Sequence, residues 1–297
     1  MTLREFLENG KIPFAEEEDL SRHTSIRCGG RCSFFVSPQT KEALVACVDF
    51  LWRGGYPWQL VGHMTNTLPP DGETETVFLS TRSVQGISLC GDVAEAASGV
   101  GATALFRFLL KEGRLAFPTL VGIPGTVGGA VRGNAGAFGY ETADALLSAE
   151  VYFYKSGKTE HIPWEEMKFS YRYSRLKEEE DAVLLSARYR ALRYDRESAK
   201  AEILRCAALR RASQPVGEPS LGSVFLRVGE TSAAWYIDRL GMKGARVGGA
   251  KVSEKHAGFI VNAGGATSHD VSMLIRKITE EVRAGYGISL IPEIQIL

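Results

Sequence analysis

The chain has 297 residues, of which 44% are hydrophobic and 24% charged, a composition that is ordinary for a soluble globular enzyme. Its 35 Lys and Arg balance its 35 Asp and Glu, so no overall basic field indicates nucleic acid or an anionic membrane as a partner. This length predicts two or three domains and is sufficient for a hydrophobic core.

The N-terminal segment MTLREFLENGKIPF places Arg4, Glu5 and Glu8 where a signal peptide needs an apolar run. No apolar run approaches the roughly eighteen residues that a membrane-spanning helix needs. Of the five cysteines, only Cys28 and Cys32 are close in sequence, and no second pair or neighbouring histidines completes a zinc set. We therefore expect a cytoplasmic protein with reduced, structural cysteines and no metal site.

In chain order, the first predicted helix begins after Ser37-Pro38-Gln39-Thr40 and ends near Leu51. Short runs bounded by glycine or polar residues predict the strands that follow. These strands are Trp58–Val61, Val77–Ser80, Ile87–Leu89 and Val93–Ser98. A second helix is predicted from about Ala102 to Glu112.

The second half of the chain predicts strands at Ala149–Tyr154 and Ala182–Leu192 and a helix at Glu197–Ala212. Thr267-Ser268-His269-Asp270 resembles a capping box, and it begins a helix whose apolar residues recur at the helical period. The C-terminal GISLIPEIQIL predicts a strand with Ile294 and Ile296 on one face and Glu293 and Gln295 on the other. Because strands and helices do not alternate strictly, we predict an α+β protein with boundaries near residues 80 and 200.

The segment GIPGTVGGAVRGNAGAFG, residues 122–139, contains seven glycines in eighteen positions and a single charge, Arg132. Such a cluster serves either sharp turns at positive φ or backbone amides that approach a ligand, often a phosphate. It is not a P-loop, because no Gly-Lys-Ser/Thr follows. The sequence alone leaves both uses of the glycines open.

A second glycine pattern, Gly99-Val100-Gly101-Ala102-Thr103-Ala104, matches the dinucleotide-binding pattern between a strand and a helix. That pattern also needs an acidic residue about twenty positions further on. The sequence there is Thr119-Leu120-Val121-Gly122, which has no carboxylate. The sequence therefore disfavours a Rossmann domain.

Six motifs follow one another from about residue 20 to the C-terminus. They are His23–Arg27 followed by Gly29-Gly30, Gly122–Ala130 followed by Asn134–Ala137, Ser170–Arg175, Pro219–Phe225, Gly249–His256 and Pro292–Ile294. In this order they resemble one enzyme family, the UDP-N-acetylenolpyruvoylglucosamine reductases, which are flavoenzymes of bacterial cell-wall precursor synthesis. The glycine-rich block resembles the family's flavin-binding signature. The spacing is similar to that of the shorter branch, which lacks an extra loop in the substrate domain.

The resemblance implies an α+β fold with a two-lobed FAD-binding domain of the vanillyl-alcohol-oxidase type and a C-terminal α+β substrate domain. The lobes would be residues 1–80 and 81–200, and the substrate domain residues 201–297. It implies FAD and NADPH as cofactors and the reduction of UDP-N-acetylglucosamine enolpyruvate, a nucleotide-sugar, to UDP-N-acetylmuramate. We expect a monomer with no nucleic-acid or membrane partner.

The resemblance also assigns roles to residues. Ser223 aligns with the family's proton donor, and Arg172 and Glu293 align with the pair that brackets the enolate and carboxylate of the substrate. The substrate-binding candidates are Tyr171, Arg227, Lys255 and His256. The FAD-binding candidates are Gly62, Thr65, Asn66, Gly122, Ile123, Pro124, Gly125, Thr126, Gly128, Gly129, Asn134, Ala135 and Gly136.

The chain departs from the family pattern at two places. Met64 stands where the family usually has glycine, and a Cβ disfavours positive φ and close approach to a phosphate, so we expect altered FAD binding. Leu226-Arg227-Val228 stands where the family usually has Lys-Asn-Pro, which contacts the nucleotide-sugar. These departures favour the alternative, a diverged flavin- or nucleotide-binding relative that has lost this activity or acts on a different enol ether.

Overall fold

The computed structural model describes residues 1–116 and 122–297. The segment Thr119–Val121, where a dinucleotide motif would carry its acidic residue, lies outside the described residues. No helix in the described ranges is both long and apolar enough to cross a membrane. The helices are α1 (Leu3–Asn9), α2 (Lys41–Arg53), α3 (Ala102–Lys111), α4 (Val127–Arg132), α5 (Arg196–Ser213), α6 (Ala233–Arg239) and α7 (Ser268–Tyr286).

Most strands are short. They are β1 (Phe14–Asp19), β2 (Arg31–Val36), β3 (Trp58–Val61), β4 (Thr67–Leu68), β5 (Glu73–Ser80), β6 (Ile87–Cys90), β7 (Val93–Ala97), β8 (Arg114–Leu115), β9 (Gly136–Ala137), β10 (Tyr140–Glu141), β11 (Leu146–Phe153), β12 (Lys158–Pro163), β13 (Ala182–Arg190), β14 (Leu192–Arg193), β15 (Ser220–Ser223), β16 (Arg246–Val247), β17 (Ala250–Val252), β18 (Phe259–Asn262) and β19 (Gln295–Ile296). The predicted strands are recovered with shifts at their ends, except that the one predicted at Ala182–Leu192 is divided into β13 and β14 and the C-terminal one is much shorter.

The chain divides into two compact units, each assembled from separate segments. Unit 1 comprises Met1–Glu16, Phe34–His63 and Glu75–Ala207. Unit 2 comprises Glu17–Ser33, Met64–Thr74 and Ala208–Leu297. The three domains expected from the sequence, at residues 1–80, 81–200 and 201–297, stay a prediction.

Unit 1 contains an antiparallel five-stranded sheet in the order β12-β11-β13-β7-β6. A second sheet has the order β1-β2-β5-β3, in which β3 runs parallel to β5. Helix α2 shows why the sequence prediction succeeded: the Thr40 side chain accepts a hydrogen bond from the Ala43 amide at 3.1 Å and caps the helix. The buried residues of α2, which follow the helical period, are Leu44, Cys47, Val48 and Leu51.

Unit 2 contains an antiparallel sheet in the order β15-β18-β17-β16 and the long helix α7. The predicted capping box is confirmed, because Thr267 Oγ1 accepts from the Asp270 amide at 3.0 Å and the Asp270 carboxylate accepts from the Thr267 amide at 3.1 Å. The C-terminal strand β19 is shorter than expected. Ile294 is buried, whereas Ile296 is 48% exposed. The buried apolar residues of α7 are Val271, Leu274, Ile275, Ile278 and Val282.

Candidate functional site

The glycine-rich segment forms a short helix that begins beside the second glycine pattern of the sequence. The Thr126 side chain caps α4 by accepting a hydrogen bond from the Gly129 amide at 3.2 Å. The Gly128 amide donates to the Ser98 carbonyl at 2.8 Å, and the Ala102 amide donates to the Gly125 carbonyl at 3.0 Å. The two glycine patterns of the sequence are therefore neighbours within unit 1.

The backbone is closely packed at two glycines: a side chain would collide at Gly62 and would be tight at Gly101. A Cβ on Gly62 would lie 2.6 Å from Thr126 Oγ1, and a Cβ on Gly101 would lie 3.3 Å from His63 Cε1. Next to them, the Ser98 hydroxyl is buried and has no hydrogen-bond partner among the described residues. A buried hydroxyl without a partner beside a glycine-rich turn fits a phosphate-bearing cofactor that would accept its hydrogen bond.

Met64 lies in unit 2 and has φ of 49°, the left-handed region that favours glycine. Its side chain is only 3% exposed. The predicted FAD-binding residue Asn66 also lies in unit 2, where its side-chain amide donates to the Glu293 carbonyl at 3.2 Å. Thr65 is partly buried beside it. Met64 therefore has a backbone conformation that favours glycine, although it carries a side chain.

Asn134 connects the glycine-rich segment to the Ser170–Arg175 motif. It is fully buried, and its side-chain NH₂ donates to Glu141 Oε2 at 2.7 Å and to the Ser170 carbonyl at 2.9 Å. Its side-chain oxygen accepts from the Ala143 amide at 3.0 Å. Because each of these groups is paired, Asn134 fixes the position of the Ser170 turn relative to β9 and β10.

Arg172 occupies a tight turn in which Ser170 and Tyr173 exchange two backbone hydrogen bonds of 3.2 and 3.0 Å. Its φ of 55° is unusual for a residue with a side chain, and such strain is often kept at functional sites. The guanidinium donates from Nη2 to the Gly136 carbonyl at 2.8 Å and lies 5.0 Å from the centre of the Tyr171 ring. Unit 1 thus brings Arg172 and Tyr171 together with Asn134 and Gly136.

Ser223 and Glu293 are brought together in unit 2. The residue after Ser223, Val224, donates its amide to the Gly258 carbonyl at 2.8 Å and accepts from the Glu293 amide at 2.7 Å. The Ser223 hydroxyl donates to the Phe225 carbonyl at 3.4 Å, and both Ser223 and Glu293 are partly exposed. Two of the three predicted catalytic residues therefore share one backbone framework.

His256 is linked to the same framework. Its Nδ1 accepts from the Gly258 amide at 3.1 Å, so the neutral ring carries its proton on Nε2. Burial lowers the pKa of His256, and the positive charge of Lys243 acts in the same direction. The neighbouring Lys255 is exposed and donates its ammonium to the Arg211 carbonyl. Arg227 is exposed as well.

The predicted site residues are thus divided between the units. Unit 1 holds Gly62, the segment 122–136, Tyr171 and Arg172, and unit 2 holds the others. The structure places two further polar residues, Ser98 and Glu141, beside predicted site residues, and the sequence pattern did not single them out. Glu141 carried a weak signal, since it is an acidic residue a few positions after a glycine-rich motif.

A separate cavity in unit 1, about 400 Å³ in volume, contains none of the predicted site residues. The Lys41 ammonium at its edge is already paired with Glu150 at 2.5 Å and Glu95 at 3.3 Å. Among the residues that the structure describes, no group of three or more His, Cys, Asp or Glu side chains could hold a metal ion. Neither feature adds to the candidate site.

Two family models match the chain. Residues 32–162 match an FAD-binding domain, and residues 214–297 match the C-terminal domain of UDP-N-acetylenolpyruvoylglucosamine reductase. A reductase of that name from Bacillus velezensis is 33% identical over 98% of this chain and 95% of its own length. Its namesake from Thermosipho melanesiensis is 36% identical over 94% of both chains.

A solved structure is also similar over nearly the whole chain. The UDP-N-acetylenolpyruvylglucosamine reductase of Thermus caldophilus has a TM-score of 0.80 at 29% identity, covering 96% of this chain and 98% of that chain. The predicted α+β fold class with an FAD-binding domain is thereby confirmed. Together these similarities show that the chain belongs to the family of UDP-N-acetylenolpyruvoylglucosamine reductases, enzymes with an FAD-binding domain.

Proposed function

We propose that the chain reduces UDP-N-acetylglucosamine enolpyruvate to UDP-N-acetylmuramate in peptidoglycan precursor synthesis, with FAD as the bound cofactor and NADPH as the reductant. The observation that carries this proposal is the pairing of Ser223 and Glu293 through Val224 in a chain of this family. We further propose that the protein works as a cytoplasmic monomer.

The residues suited to hold FAD are those at the close approach in unit 1. Gly62 and Gly128 let the main chain approach Thr126 and Ser98 more closely than a side chain would comfortably allow, and the N-terminus of α4 favours negative charge. Bound FAD supplies the hydride for the enolpyruvyl double bond. The protein residues then have to place the substrate and manage the charge that develops on it.

Hydride addition to one carbon leaves enolate-like negative charge on the neighbouring carbon and the carboxylate. Ser223 is proposed to donate a proton to that carbon. A serine hydroxyl is a poor acid in water, so it can do this only when it is held against the developing carbanion. The backbone around Ser223 supports such fixed placement. Its hydroxyl donates to the Phe225 carbonyl, and the residues that flank Phe225 are anchored, Val224 to the Gly258 carbonyl and Leu226 to the Ile291 carbonyl.

Arg172 and Glu293 are proposed to bracket the enolate and carboxylate. A guanidinium presents a planar fork of donors that matches a carboxylate, and Arg172 is held by the Gly136 carbonyl. Tyr171, Arg227, Lys255 and His256 are proposed to contact the remainder of the nucleotide-sugar. Arg227 would supply the positive charge that the family usually places one residue earlier.

One observation favours the alternative of a diverged relative. Met64 keeps a positive φ with a buried side chain where the family usually has glycine. If this side chain prevents FAD from binding, the chain would retain the fold without the reaction. The experiment below separates the two functions.

The test compares Ser223→Ala with the matched control Ser220→Ala, which lies on the same strand β15. Flavin absorbance is followed anaerobically, first on adding NADPH and then on adding the UDP-sugar enolpyruvate. In Ser223→Ala, we expect the flavin to be reduced by NADPH at a rate within about twofold of the wild-type rate. We expect the substrate to reoxidise the flavin roughly 10²- to 10⁴-fold more slowly than in the wild type. Equal loss in both half-reactions would make Ser223 structural, and a wild-type protein that is not reoxidised would favour the alternative.

A further inference from the structure

The carboxylate of Glu141, to which the sequence assigned no role, lies beside the guanidinium of Arg172, which is proposed to contact the substrate. Glu141 belongs to β10, which pairs with β9 so that Glu141 lies opposite Gly136. A Cβ on Gly136 would lie 2.3 Å from the Tyr140 carbonyl oxygen and 2.9 Å from Glu141 Cγ. Only glycine at residue 136 permits this approach, so the hairpin itself determines where the Glu141 side chain lies.

The two oxygens of Glu141 are directed to different partners. Oε2 accepts from the buried side-chain amide of Asn134 at 2.7 Å, and Oε1 lies 3.8 Å from Arg172 Nη1. The other terminal nitrogen of Arg172 donates to the Gly136 carbonyl at 2.8 Å. Nη1 also donates to the Asn134 backbone carbonyl at 3.5 Å. The guanidinium is therefore held by two backbone carbonyls and lies beside a carboxylate that is itself anchored.

The same amide of Asn134 also donates to the Ser170 carbonyl at 2.9 Å. Ser170 begins the turn that carries Arg172, so one buried residue anchors both the carboxylate and the backbone of the arginine. The Arg172 and Glu141 side chains are 22% and 35% exposed, which leaves the pair accessible to a ligand.

We propose that Glu141 is a positioning residue that holds the Arg172 guanidinium ready for the substrate carboxylate. This inference rests on the proposed function, in which Arg172 contacts the substrate. An arginine side chain loses rotamer entropy when it is fixed in one conformation. Ordering it before the substrate binds removes that cost from binding and places the donors correctly for the reaction.

A purely stabilising role would have a different signature. Partly exposed ion pairs contribute little to stability, because solvent screens them and fixing the side chains costs entropy. Arg175 and Glu179 provide a matched pair in the same unit, with a contact of 2.8 Å and exposed fractions of 25% and 33%. Glu179→Gln therefore removes a comparable charge without affecting Arg172.

The substitution Glu141→Gln isolates the interaction. The glutamine oxygen can still accept from Asn134, and its NH₂ then faces the guanidinium, so the anchor survives while the attraction is lost. Flavin reduction by NADPH is expected to stay within about twofold of wild type, and reoxidation by the UDP-sugar enolpyruvate to slow by roughly 10- to 100-fold. Glu179→Gln is expected to change neither rate. In an Arg172→Lys background, Glu141→Gln should have little further effect, because it acts through the arginine.

A second readout needs no turnover. The Nε–Hε group of Arg172, observed by NMR, is expected to be ordered in the wild type and in Glu179→Gln and to become mobile in Glu141→Gln. Unchanged order in Glu141→Gln overturns the inference, as does an equal effect of this variant on both half-reactions. A wild-type protein that does not turn over contradicts the proposed function only, since the order of Arg172 still decides the role of Glu141.

Discussion

Met64 provides a test in which two small residues should exchange their usual order of stability. In the interior of a helix or strand, a protein with glycine is less stable than one with alanine by roughly 0.5–1 kcal/mol, because glycine loses more backbone entropy on folding. At residue 64 the φ of 49° reverses this, since a left-handed conformation costs about 1–2 kcal/mol for a residue with a Cβ.

Both substitutions also remove a side chain that is only 3% exposed. Truncating a buried methionine to alanine costs roughly 2–5 kcal/mol. We therefore expect Met64→Ala to lower the free energy of unfolding by about 2–4 kcal/mol. Met64→Gly is expected to lower it by about 1 kcal/mol less than Met64→Ala, because it relieves the backbone strain.

The assay is urea unfolding without added FAD, with the free energy obtained by linear extrapolation. The control pair is Leu274→Ala and Leu274→Gly in α7, a fully buried position in the same unit. There alanine should be the more stable variant, by about 1 kcal/mol. If Met64→Ala equals or exceeds Met64→Gly in stability, the argument from backbone strain at residue 64 is wrong.

Two further predictions concern stability. Burial is the main cause that lowers the pKa values of His63 and His256 from 6.5, so the unfolded chain takes up protons first as the pH falls. The stability that these neutral rings contribute is therefore present above about pH 6.5 and is lost as the pH falls below it. We expect the urea midpoints of His256→Gln between about pH 7.5 and 5 to depend less on pH than those of the wild type. An unchanged pH dependence would contradict this prediction. The Asp71 carboxylate accepts from the Ser268 and His269 amides at 2.9 and 2.7 Å at the start of α7, so Asp71→Ala should cost about 1–2 kcal/mol by thermal unfolding. Exposed Glu218→Ala, in a loop of the same unit, serves as its control, and equal shifts in the two variants would exclude a capping role.

The elements that the sequence predicted well are those set by neighbouring residues. Helices α2 and α7 have a capping side chain and an apolar stripe, and both signals lie within a few residues of the structure that they specify. Strand β1 was missed because FAEEED has no alternation of apolar and polar residues. Its extended form depends on pairing with β2, which the local pattern does not encode.

For the candidate site, the sequence identified motifs but not their connections. Asn134 was assigned to the flavin signature, yet its side chain reaches Ser170, 36 residues away, and Glu141. The close packing at Gly62 likewise depends on Thr126, which lies far along the chain. No local pattern indicates such pairs.

By itself, the sequence determined the family, the α+β class and the identity of the candidate catalytic residues, because these depend on residue types in a fixed order. Only the tertiary structure decided that Glu17–Ser33 and Met64–Thr74 belong to the same unit as the C-terminal third of the chain. Asn262 illustrates the physical reason: its side-chain amide donates to the Ile26 carbonyl at 3.0 Å across 236 residues of sequence. Buried polar groups must find partners wherever the fold supplies them, and those partners are set by packing rather than by proximity in the chain.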